Sequence, residues 1–117
     1  MTNSARGEVP FNVGEERLIL RPSFSAISEI ETELGIGLVE IAERFAARRY
    51  GVKELCAVIR VGARAGGRDL DLERIGDLVM SAGLVAATGP VVLFLSNALT
   101  GGNDSKNVVA PPASLAS

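Results

Sequence analysis

The amino-acid sequence predicts an α+β fold that is mainly α, with an N-terminal β-hairpin followed by about five short helices in one compact single domain. Three observations carry this expectation. Apolar residues alternate along the first 22 positions. From Ser23 onward they recur instead at the three- and four-residue spacings of a helix, with glycines between the periodic segments. Hydrophobic residues make up 47% of a 117-residue chain, enough for a single core.

The hairpin is read from two runs. Glu8 to Val13 places Val9, Phe11 and Val13 on one face, and Arg17 to Pro22 places Leu18 and Leu20 in phase after a Gly14-Glu15 turn. Ile19, on the opposite face, suggests partial cover there as well. A lone hairpin is marginal in water, so this one has to pack on the helices that follow or pair with something else.

The first helix carries Phe24, Ile27, Ile30 and Leu34 at helical spacing and closes at Gly35 as a C-cap, leaving Glu29, Glu31 and Glu33 as an acidic outer face. A second helix, Leu38 to Ala47, turns Leu38, Ile41, Ala42 and Phe45 inward. The third, Val52 to Ala65, presents Leu55, Val58, Ile59 and Gly62. Gly66-Gly67 breaks the chain, and Asp69 or Asp71 can cap a fourth helix over Leu72 to Ala82, with Ile75, Leu78 and Val79 inside. The fifth is expected to begin at Pro90, a favoured first helical position, and to end at Leu99 before Gly101-Gly102. Its middle, Val91 to Leu95, is apolar on every side, so the protein's own core or a partner has to cover it. Residues 7–102 thus form the domain, with a flexible start at 1–6 and a disordered tail at 103–117.

Composition narrows the chemistry. The absence of His removes the usual general base, and Cys56 is the single cysteine, so neither an internal disulfide nor a common zinc ligand set can form. Cys56 lies within an apolar helical pattern and reads as a small core residue. A net charge of -2 and 4% aromatic residues give neither a phosphate-binding face nor a stacking platform, so no nucleic acid is expected as a partner. The basic cluster Arg44, Arg48, Arg49 and Lys53 reads as a solvated helix end and loop. No membrane partner is expected, because the run from Val91 to Leu95 is far shorter than a span. The polar N-terminus resembles no signal peptide, which places the expected location in the cytoplasm.

The motifs with catalytic overtones yield to plainer readings. Arg64-Ala65-Gly66-Gly67-Arg68 lacks the spacing and the Lys-Ser/Thr ending of a phosphate loop and follows a helix, so it reads as a connector. Glu29 and Glu33 share a helix face that Glu40 and Glu43 could complete as a metal site, but a solvated face explains them with less. Asp69 and Asp71 lack the remaining ligands of a calcium loop. Arg60 and Arg64 on one helix face are too few for a DNA-recognition helix in an acidic protein. No enzyme activity and no cofactor are expected.

The order of the pieces carries a resemblance: Arg6-Gly7-Glu8-Val9, the return Arg17-Leu18-Ile19-Leu20-Arg21-Pro22, Phe24 to Glu31 closing at Leu34-Gly35, Val58 to Gly62, the Gly66-Gly67 break, Met80 to Leu84, and the apolar helix closed by Leu99-Thr100-Gly101-Gly102. From Gly7 to Gly102 the chain resembles the small tail-protein family of gene transfer agents and related prophages, whose members are described as tail tube or tail assembly chaperone proteins. The resemblance implies a non-enzymatic tail-morphogenesis protein. Its expected partners are the tape-measure protein, other tail proteins and further copies of itself. The chaperone role would be exercised in the host cytoplasm, and a tube subunit would remain in the particle. Strand signal confined to the hairpin favours the chaperone, since a tube wall needs extended sheet. The apolar residues expected to bind a partner are Phe11, Leu18 and Leu20 of the hairpin and Val92, Phe94 and Leu95 of the last helix.

Overall fold

A computed structural model describes residues 6–101. The order is β1 (Val9–Val13), β2 (Glu16–Leu20), α1 (Phe24–Leu34), α2 (Leu38–Ala46), α3 (Val52–Ala65), α4 (Leu72–Ala82) and α5 (Leu84–Thr100). This is the expected hairpin followed by five helices. Apart from Arg6, the ends expected to be flexible or disordered lie outside the described residues, and so does Gly102.

The hairpin is antiparallel, with Val9 opposite Leu20 and Phe11 opposite Leu18. Alternation therefore gathers these four buried side chains on one face. That face lies against α3, α4 and α5. Helix α3 is the hub, touching α1, α4, α5 and β2, and nearly all of its middle from Leu55 to Ala63 is buried. One continuous cluster results, centred on Leu55, Val58, Ile59, Ile75, Val91 and Phe94.

Helix ends follow local chemistry. Ser23 and Asp71 cap α1 and α4 by accepting from the backbone N–H groups of Ala26 and Arg74. Gly35 closes α1 with φ of 76°, a left-handed conformation that glycine adopts without strain. Gly37, at the start of α2, has no side chain to cap with; Oε2 of Glu31 accepts from Leu38 N at 2.8 Å instead. Glu54 ties α2 to α3 by accepting from Gly51 N at 3.1 Å and pairing with Arg44 at 3.1 Å.

Two expectations about inner faces and boundaries change. Phe24 is 87% exposed, because at 3.6 residues per turn it sits roughly 120° around α1 from Ile30, and Ala26 takes the inner position. Helix α5 begins at Leu84, and Pro90 lies inside it. An internal proline removes a backbone donor and typically costs about 3 kcal/mol or more. Here the added turns bury Ala87 and Thr88 and so continue the core beneath the proline. Thr88 Oγ1 donates to the Leu84 carbonyl at 2.8 Å, leaving the Tyr50 hydroxyl to donate to Thr88 Oγ1. The Tyr50 ring stacks on Phe45 at 4.5 Å, which couples α5 to the end of α2.

Glu16, at the start of β2, joins the hairpin to the α3–α4 region by pairing with Arg68 at 2.9 Å and Arg74 at 2.6 Å. Hydrogen bonds from Arg74 and then Arg68 hold its carboxyl below the ordinary value of 4.5. A carboxyl whose folded pKa is depressed stabilises the fold above its unfolded pKa, and the contribution disappears as the pH falls through the folded value. Melting curves of the wild type and Glu16→Gln should therefore differ at neutral pH and converge as the pH falls below 4.5. A gap that persists in strong acid would show that the ion pairs are not its source.

Candidate partner-binding surface

The residues expected to bind a partner do not form a surface. Phe11, Leu18, Leu20, Phe94 and Leu95 are all buried, and only Val92 is half-exposed. Pairing of β1 with β2 turns the three hairpin residues toward the helices, while α5 turns Phe94 and Leu95 the same way. Period and hydropathy identify such residues as apolar but do not say which apolar face remains once the core is filled. In the folded domain these five are core, and a partner reaches them only if the domain opens.

What remains outside is the opposite side of α5. Val85 is 74% exposed, Leu93 51% and Leu99 46%, with Leu84, Gly89 and Ser96 also open to solvent. From Leu84 to Thr100 the helix has no charged residue on any side. Solvent-facing helix surfaces normally carry charge, and the centres of protein interfaces are depleted of it. The strongly apolar middle from Val91 to Leu95 marks this helix in the sequence, but the exposed residues Val85, Leu93 and Leu99 lie on the face turned away from the core. The available signal was the missing charge rather than the hydrophobicity.

A second apolar surface lies between α3 and α4, an open groove of about 340 Å³ lined by Val52, Cys56, Leu72, Gly76 and Met80. Val52, Leu72 and Met80 are exposed, whereas Cys56 is buried at the floor and desolvation pushes its thiol pKa up, consistent with an inert core position. Lys53 stands on the α3 wall, and Glu73 and Asp77 stand on the α4 wall. Gly76 is mid-helix, where glycine costs about 1 kcal/mol relative to alanine. A Cβ added there would meet nothing within 4 Å, so packing inside the domain does not require this glycine.

The remaining charges mostly serve the fold. Arg60 pairs with Glu33 at 2.9 Å and Arg64 pairs with Glu29, so the two arginines clamp α3 to α1. With Glu31 capping α2, the expected acidic outer face is largely taken up by internal contacts. In the basic cluster, Arg44 reaches Glu54 and the Arg49 carbonyl.

Fold and surface together define the class: a mainly helical α+β domain with a two-stranded hairpin and an uncharged, apolar helix face turned outward. A family model described as "Phage tail tube protein, GTA-gp10" matches residues 6–101. The chain belongs to this family of phage and gene-transfer-agent tail proteins. No curated protein and no solved structure matches it.

Proposed function

We propose that the chain is a non-enzymatic tail assembly chaperone that keeps apolar helical segments of the tape-measure protein soluble until tube subunits enclose them. The observation that carries this reading is the uncharged outer face of α5, where Val85, Leu93 and Leu99 offer an apolar strip suited to an amphipathic helix. The small sheet supports it further: among the described residues it has only two strands, a poor basis for a continuous tube wall. The chaperone works in the host cytoplasm and leaves before the particle is complete. Among the described residues no single helix is long and apolar enough to cross a membrane.

A structural tube subunit is the second reading, favoured by the wording of the family description. Co-expression with the tape-measure protein of the same gene cluster, followed by size-exclusion chromatography and analysis of assembled particles, separates the two. The chaperone reading expects a soluble complex and particles without this chain. Many copies per particle, with tape-measure solubility unchanged, would make it a tube protein.

A further inference from the structure

We infer that the groove between α3 and α4 is a self-association surface whose occupant is the α4 helix of a second copy of this chain. The argument starts from charge. Lys53 lies on one wall, and Glu73 and Asp77 lie on the other. Among the described residues none of the three forms an ion pair, whereas Arg44, Arg60, Arg64, Arg68 and Arg74 all do. A two-fold arrangement brings one patch against an identical patch, so a surface carrying both signs on opposite walls is complementary to itself. Lys53 of each copy then faces Glu73 and Asp77 of the other.

The α4 stripe fits the same arrangement. Leu72, Gly76 and Met80 are four residues apart and so share one helix face. If two α4 helices cross antiparallel at Gly76, Leu72 of each copy meets Met80 of the other. The missing side chain at the crossing allows the backbones to approach. This accounts for a mid-helix glycine above which the monomer has open space. The groove is separate from the α5 face assigned to the tail partner, so the inference stands apart from the chaperone reading.

Sedimentation velocity and light scattering of the full chain over a range of concentrations provide the test. The wild type is expected to form a dimer. Lys53→Glu alone and Glu73→Lys with Asp77→Lys should each raise the dimer dissociation constant about tenfold or more, because each variant places like charges across both halves of the interface. An equimolar mixture of the two variants should restore dimerisation, since opposite charges then face each other again. Gly76→Ala should raise the melting temperature of the monomer, as alanine favours helix and meets no neighbour, while weakening the dimer. A strictly monomeric wild type would overturn the inference, as would a dimer indifferent to both charge changes. Loss of tape-measure binding on Lys53→Glu, with the wild type monomeric, would assign the groove to the tail partner instead.

Discussion

Leu95→Asp is expected to unfold the domain, and Leu93→Asp, on the same helix, to leave it folded but unable to hold its partner. Leu95 is 1% exposed and belongs to the core, while Leu93 is 51% exposed. A carboxylate at position 95 would be buried without a cation. A buried, unpaired charge combined with lost apolar packing costs more than about 4 kcal/mol, a large share of the roughly 5–15 kcal/mol that holds a small domain together. At position 93 the same carboxylate stays hydrated, and the expected loss is about 1 kcal/mol or less. Circular dichroism melting measures the folding difference, and co-purification with the tape-measure protein measures binding. A folded Leu93→Asp variant that still binds normally would remove the α5 face from the proposed function.

Gly66→Ala should be nearly as damaging, although it adds one methyl group. Gly66 ends α3 with φ of -86° and ψ of 1°, a conformation open to any residue, so its backbone angles do not demand glycine. The demand comes from β2: a Cβ at this position would lie 1.8 Å from the carbonyl oxygen of Ile19. One turn earlier, at Gly62, a Cβ would stand 3.2 Å from the Phe94 ring, and the Gly62 carbonyl accepts from Arg21 N at 3.0 Å. The two glycines form a notch that admits β2 against α3. Because the clash at Gly66 is with backbone, relief requires moving the strand, at an expected cost of about 3 kcal/mol or more. Gly62→Ala meets movable side chains and should cost less, about 1–2 kcal/mol. Equilibrium denaturation of both variants measures the ranking, and equal losses would refute the notch.

That notch shows where sequence reading reaches its limit. The bounds of α3 and α4 follow from local signals: apolar residues at helical spacing, the Asp71 cap and the flanking glycines. The hairpin was equally legible, since strict alternation on either side of Gly14-Glu15 leaves one register that buries Val9, Phe11, Leu18 and Leu20 together. Gly66, by contrast, reads as a simple helix stop, because the atom it makes room for belongs to a strand far away in the chain. Pro90 reads as a helix start for the same reason. Local preference favours beginning there, and only burial of Ala87 and Thr88 beneath the proline reverses it.

The candidate surfaces divide in the same way. The outer face of α5 was partly visible, since the lack of charge from Leu84 to Thr100 can be read directly, but of the α5 residues expected to bind a partner Phe94 and Leu95 are buried and only Val92 is half-exposed. The α3–α4 groove was not visible: Val52, Leu72 and Met80 read as ordinary apolar residues until the helices are placed side by side. Composition, periodicity and capping by themselves determined a mainly helical α+β domain with a hairpin and no histidine, while the tail-protein family entered through resemblance and the family match. Only the tertiary structure decided which apolar residues are core and which remain exposed, because hydrophobicity belongs to a side chain and burial depends on what packs against it.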